Sequence, residues 1–249
     1  MTPKLDRDLR DYSLQYKELP FEPIQIGYRR KKVLEEIAAV SPRSLLEVGC
    51  GNLPLFMDFT EASGINHIVV EPTQQFVENA RASSEHRKDV NVFHGFIEDF
   101  SGKDNFDMVV ASCVLHEVPD PKKFLSAIKS ICNPETILHI NVPNANSLHR
   151  LLAVAMGLIK NQADQSATQK LMQQRNEVYD SLSFRAEIVD AGFKIIRSGS
   201  LFIKPFTHLQ MQYLVDLGFM TREMLDGLSK LIDSLPDNGS ELWVTAQSL

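Results

Sequence analysis

Apolar residues along this chain change period again and again, from helical spacing to short β-branched runs and back. From Tyr28 to Val40, Val33, Leu34, Ile37 and Ala38 recur at helical spacing among Arg29, Arg30, Lys31, Lys32, Glu35 and Glu36, which predicts an amphipathic helix. Ser41-Pro42 breaks it, and Ser44 to Val48 is an apolar run closed by Gly49-Cys50-Gly51, the pattern of a buried strand feeding a tight turn. Leu53 to Ala62 has helical composition and stops at Ser63-Gly64, and Ile65 to Val70 is a second strand ended by Glu71-Pro72. The alternation continues with a helix near Thr73 to Ser83, strands near Val90 to Phe93 and Phe106 to Ala111, and a helix from Pro121. Glu135 to Val142 is the fifth strand, and Phe193 to Ile203 and Leu242 to Ala246 are the last two.

Strands and helices that alternate at this spacing predict an α/β fold, a doubly wound and mostly parallel seven-stranded sheet with helices on both faces. Two helical insertions interrupt it, one near 143–180 after strand five and one at 206–235 after strand six. The 249 residues suit one large domain. Residues 1–43 read as an amino-terminal lid and leading helix, and 44–249 as the main domain.

A net charge of -6 leaves no electrostatic footprint for a phosphate backbone, so nucleic acid is not an expected partner. Cys50, Cys113 and Cys132 have no metal-clip spacing, and their odd number suits a reducing compartment; a cytoplasmic location is expected. Met1 to Arg10 lacks the pattern of a signal peptide, and the apolar stretch Leu148 to Ile159 falls short of the roughly 20 residues that span a bilayer, so no membrane partner is expected.

Candidate chemistry begins at Leu45-Leu46-Glu47-Val48-Gly49-Cys50-Gly51-Asn52, which puts an acid at a strand end and two glycines in the following turn. In a doubly wound sheet, ligands sit beyond the carboxyl ends of the strands, where glycine lets the backbone approach them. Glu71 ends the next strand 20 residues after Gly51, the separation at which an acid meets ribose hydroxyls in such folds. A plain strand-to-helix turn would also use Gly49 and Gly51. A nicotinamide or flavin dinucleotide would want a third glycine where Pro54 stands, and Glu47 would repel its pyrophosphate. The ammonium and sulfonium of S-adenosylmethionine instead favour acidic surroundings.

Through Leu46-Glu47-Val48-Gly49-Cys50-Gly51, and through Phe106-Asp107-Met108-Val109-Val110 running into Val114-Leu115-His116-Glu117-Val118-Pro119-Asp120-Pro121, the chain resembles the class I S-adenosylmethionine-dependent methyltransferases, with their Rossmann-like sheet. The resemblance covers roughly Arg29 to Val142. It implies that Glu47, Gly49 and Gly51 face the methionine part of the cofactor and Glu71 its ribose, with Pro72 and Ser112 completing the site. Where the family often has Gly-Asp-Ala-Glu beside the adenine, this chain has Gly95-Phe96-Ile97-Glu98, so Ile97 and Glu98 are the expected contacts. Arg29 stands where related enzymes often place a basic residue on the cofactor carboxylate, and it also reads as part of a solvated charge run.

The expected methyl acceptor is a small molecule. His116, after the fourth strand, is the candidate base, its alternative role being to cap that strand. Cys113 replaces an acid that a metal site would want, so none is expected. The polar loop Asn141 to Arg150, with Gly199 to Pro205 and Gln210-Met211, resembles a subgroup associated with surface-saccharide or secondary-metabolite pathways. The chain departs from that subgroup's basic, histidine-containing motif, having Gln174-Arg175-Asn176-Glu177-Val178-Tyr179. Asn144, His149, Arg150, Arg175, Tyr179 and Lys204 are candidate contacts to an anionic sugar, phosphate or carboxylate, and each alone also reads as a surface residue. Tyr16, with Tyr12 and Phe21, is a candidate for a lid over the acceptor. A noncatalytic cofactor-binding or scaffold relative, and a nicotinamide-dependent oxidoreductase, are the competing readings, and the oligomeric state is left open.

Overall fold

A computed structural model describes residues 9, 19–102, 105–164 and 177–249. The first long helix, α1 (Glu22–Val40), starts six residues before the helical periodicity is visible, because Pro23 occupies its first turn, where no backbone donor is needed. Ser41, in the left-handed region with φ 53°, ends it by donating its N–H to Ile37 O at 2.8 Å. Seven strands follow: β1 (Ser44–Val48), β2 (Asn66–Glu71), β3 (Val90–His94), β4 (Met108–Ser112), β5 (Ile137–Pro143), β6 (Phe193–Leu201) and β7 (Glu241–Ser248). Between them lie α2 (Gln74–Ser83), α3 (Pro121–Ser130), α4 (Leu148–Ala155), α5 (Ser181–Asp190), α6 (His208–Asp216) and α7 (Arg222–Lys230).

The sheet order is β3-β2-β1-β4-β5-β7-β6, with β7 antiparallel to both neighbours and all other pairings parallel. The mostly parallel, doubly wound sheet with helical insertions after strands five and six is therefore as expected. Chain order reverses between β1 and β4, which opens a crevice at their carboxyl ends. Alternate residues of the central strands feed two cores. Leu46, Val109 and Leu138 pack on one face with Phe124 and Ile128 of α3 and Phe184 and Ile188 of α5, while Leu45, Met108 and Val110 meet Val33 and Ile37 of α1 on the other.

Two expectations change. Leu53 to Ala62 is not an α-helix but two short 3-10 turns, Leu55–Asp58 and Glu61–Ser63. Glu47 accepts the Leu55 N–H from the strand, and Arg30 ties Leu53 O, Pro54 O and Asp58, so side chains from elsewhere satisfy groups that a helix would have used. The sixth strand stops at Leu201 because Phe202 turns into the left-handed region, φ 54°. In the insertions, the described residues form α4, α6 and α7, and Asn144 bridges Tyr179 just before α5.

Buried Glu36 fastens α1 to the antiparallel edge. It receives Lys32 at 2.8 Å, Arg197 at 2.7 Å and the Thr245 hydroxyl at 3.0 Å. Burial alone would push its carboxyl up; these donors outweigh it and bring it from 4.5 down to about 2. A carboxyl that is more acidic in the folded chain stabilises it above its ordinary range, and that stability is lost as pH falls from 4.5 towards 2. Urea midpoints should therefore be higher for the native chain than for Glu36→Gln at neutral pH, and the gap should close across that acid window.

Candidate active site

At the crevice, β1 ends in a turn that only glycine serves well. Gly49 has φ 78° and Gly51 φ 56°, and a Cβ on Gly49 would lie 2.6 Å from Val114 Cγ2 in the loop after β4. Glu71, at the tip of β2, reaches under this turn. Its Oε2 accepts the Cys50 N–H at 3.0 Å and the Gly51 N–H at 3.4 Å, and its Oε1 accepts Thr73 N–H at 2.8 Å. Burial pushes the Glu71 carboxyl up, and the three backbone donors hold it back. The carboxylate is thus fixed at the crevice wall by local backbone, with both oxygens still able to accept further hydroxyl donors.

Glu47 has a second role that the sequence did not reveal. Both its oxygens accept Leu55 N–H, at 3.1 and 2.9 Å, and Oε2 lies 3.2 Å from His67 Nε2. It lines the cavity but holds the glycine turn's exit, contributing negative field rather than a vacant oxygen. Pro72 and Thr73 continue the wall beyond Glu71. Ile97 is buried in the main core, and its neighbour Phe96 presents a 46% exposed ring at the cavity beside Glu98. Phe96, which is not among the expected contacts, thus offers an aromatic face there.

Ser112 ends β4 on the cavity wall, followed by Cys113, a non-glycine residue at φ 56°. Cys113 donates its N–H to Asn141 O at 3.0 Å, and Asn141 Nδ2 lies 3.2 Å from its sulfur. This bent backbone delivers His116 to the cavity wall, buried, with Nε2 3.5 Å from Glu117 Oε1.

The opposite wall is a buried polar chain. Arg29 of α1 meets Glu241 of β7 bidentately, Nε to Oε2 at 2.8 Å and Nη2 to Oε1 at 2.6 Å, and Nη2 also meets Glu22 at 3.0 Å. Burial opposes the Arg29 charge, but the Glu241 and Glu22 carboxylates around it more than offset this and keep it protonated. Gln25 and Asn141 donate to Glu241 at 2.6 and 2.9 Å. That orientation leaves Gln25 Oε1 and Asn141 Oδ1 buried without a hydrogen-bond partner among the described residues. Lys204, 2% exposed, places Nζ 2.8 Å from His208 Nδ1, and His208 Nε2 lies 3.1 Å from Glu22 Oε2.

Asn144 lines the cavity while donating to Asp237 O and Gly239 O, and Arg150 donates to Gln162 O and Asp164 O. His149 lines it too, its N–H given to Lys204 O. Tyr179 does not: it is buried in the main core, its ring 5.7 Å from that of Phe184. Its hydrophobic body wins over its hydroxyl, which has no partner among the described residues. Tyr12, Tyr16 and Arg175 lie outside the described residues, while Phe21 packs on Phe202 beneath the wall.

One cavity of about 950 Å³ joins the glycine turn, Glu71, Phe96, His116, Arg29 and Lys204, near the top of the roughly 300–1,000 Å³ range for small-molecule sites. Besides Phe96, the sequence reading missed Glu22, Gln25, His208 and Glu241, which are brought together from positions far apart in the chain. Among the described residues, no group of three His, Cys, Asp or Glu side chains is placed to hold a metal, and no helix is long and apolar enough to cross a membrane.

A family described as "Methyltransferase domain" matches residues 25–198. No curated protein sequence matches the chain. Among solved structures, it is similar to a SAM dependent methyltransferase from Aquifex aeolicus (15% identity, TM-score 0.59, 98% of this chain and 100% of that one covered). It is also similar to one from Mesorhizobium loti (14%, 0.57, 82% and 90%) and to a possible histamine N-methyltransferase from Thermotoga maritima (17%, 0.60, 97% and 99%). At these identities the likeness is one of fold.

The contact at Gly49 gives a direct test of the turn. Gly49→Ala combines a left-handed backbone with overlap on Val114 and should lower stability by about 1–3 kcal/mol or more in urea unfolding, whereas alanine at exposed, open Gly227 should not.

Proposed function

Because the chain belongs to the methyltransferase-domain family and is an S-adenosylmethionine-dependent methyltransferase, we propose that it methylates a small polar acceptor held against the Arg29–Glu241 side of the same cavity that takes the cofactor. The observation that carries this reading is the pairing of a backbone-fixed Glu71 with a glycine turn on one side of the cavity and a buried polar wall on the other. In this reading Glu71 and Pro72 hold the ribose, Gly49 and Gly51 let the backbone approach the amino-acid end, and Ile97 backbone, Glu98 and the Phe96 ring border the adenine. Ser112 completes the floor. Arg29 spends Nε and Nη2 on glutamates; Nη1, which bonds no described group, is left to meet the cofactor carboxylate.

When bound, the cofactor supplies a methyl carbon made electrophilic by the positive sulfur beside it. The protein's task is then to align an acceptor, exclude water and receive a proton where the acceptor carries one. In this reading His116 receives it, supported by its burial at the cavity wall and by Glu117 Oε1 at 3.5 Å, a carboxylate that would favour the imidazolium. Asn144, His149, Arg150 and Lys204 form the acceptor-side rim, with Tyr16 and Arg175 as further contacts from beyond the described residues. Such a wall suits a saccharide or a polar secondary metabolite, whose hydroxyls and acids it can match donor for acceptor.

Two measurements test this. Calorimetric titration with S-adenosylhomocysteine should give saturable binding, and Glu71→Ala should weaken it about tenfold or more, the worth of hydrogen bonds to a charged group. With an acceptor recovered from polar metabolites by labelled methyl transfer, His116→Ala should cut kcat by about 10²–10⁴ while product-cofactor affinity holds. An unchanged rate would leave His116 a packing residue.

A further inference from the structure

We propose that the outer face of α6 is a self-association surface, on which a second copy of this chain docks about a two-fold axis. Leu209, Tyr213 and Leu217 recur every four residues, so they form one ridge along α6 and its cap, and they are 71%, 62% and 61% exposed. Gly218, at φ 70°, turns the chain out of the helix, and Phe219 follows it, 64% exposed. Phe206, just before the helix, is exposed as well. On the inner side Met211 is buried, and Leu214 and Val215 pack half-buried against a small core that includes Phe21, Tyr28 and Phe202. The helix thus turns as many large apolar side chains outward as inward, whereas an ordinary surface helix keeps its outer face polar. The next helix, α7, does so: it carries Arg222, Glu223, Asp226 and Lys230 and buries Leu225.

Charge and area together name the occupant. The chain carries a net charge of -6, so most of its faces repel a second copy. From Phe206 to Phe219 there is one acid, Asp216, which accepts Gln212 Nε2 at 2.7 Å, and no Lys or Arg. Such a patch meets its own copy without like-charge repulsion. The same lack of basic residues makes it a poor match for a lipid surface, where interfacial helices carry Lys and Arg on the polar face. With roughly 150–250 Å² for an aromatic side chain, the exposed parts of Phe206, Leu209, Tyr213, Leu217 and Phe219 come to about 500 Å² per copy. That is at the upper end of what a monomer leaves uncovered, and covering it on both copies buries about 1,000 Å², the area from which specific interfaces begin. A two-fold axis sets the ridge against itself, so Tyr213, in its middle, faces the partner's Tyr213.

The test is analytical ultracentrifugation of the whole chain at about 50 μM, where it should sediment at twice the mass of one chain. Symmetry makes every substitution occur twice, so Tyr213→Glu and Leu217→Lys should each raise the dimer dissociation constant about a hundredfold, with unchanged far-ultraviolet circular dichroism. Leu182→Lys, on the exposed side of α5 and outside the ridge, should leave it within about threefold. Under mild oxidant Tyr213→Cys should link two chains, and neither the native chain nor Leu182→Cys should. A monomer at about 50 μM would overturn the proposal, and one that sediments with phosphatidylcholine vesicles would give the face to a lipid surface instead. A dimer that survives both ridge substitutions, or a Tyr213→Cys chain that stays unlinked, would also overturn it.

Discussion

The Glu71 carboxylate, held under the glycine turn by three backbone N–H groups, is the constraint on which the rest of the site depends. It sits where β2 ends, beside the break in strand order between β1 and β4, so the fold alone delivers it to the crevice. Its position needs no long-range side-chain packing. Cys50, Gly51 and Thr73 would otherwise leave donors unsatisfied in a buried turn, so removing the carboxylate costs the turn as well as the ligand. Glu47 does the complementary work one strand over, fixing the exit of the same turn through Leu55 and His67.

The far wall obeys a different logic. Arg29, Gln25 and Glu241 are buried, and Glu22 partly so; they could not remain there singly, because each loses water and must recover that loss from a partner. The antiparallel β7 makes the arrangement possible: it carries Glu241 to a register opposite Pro143, at the end of β5 where Asn141 can reach it. An edge reversed in direction thus brings a carboxylate to the mouth of an otherwise parallel sheet. That carboxylate in turn fastens α1 across the cavity.

What was legible in the sequence follows from this division. The β1 turn, the strand that follows it and the Glu71 that ends that strand all fall between Glu47 and Glu71, so period, glycine and acid were enough to place them. Lys204, His149 and Arg150 were readable as residue types beyond the strands, and they do line the cavity, the last two from α4. Glu22, His208 and Glu241 were not, since the contacts that bring them together, Glu22 with His208, Arg29 with Glu241 and Gln25 with Glu241, span 186, 212 and 216 positions and no local pattern marks them. Tyr179 misled because a tyrosine near a polar loop looks like a contact, while its ring is worth more buried against Phe184. The stretch after Pro54 misled because composition suggests a helix, where tertiary hydrogen bonds from Glu47 and Arg30 impose 3-10 turns instead.

The most direct measurement is a crystal structure of the full chain grown with S-adenosylhomocysteine. The ribose hydroxyls should rest on the Glu71 carboxylate and the amino-acid end should lie between the glycine turn and Arg29. Density for the ligand anywhere else, or a crevice filled by the chain's own side chains, would contradict the account.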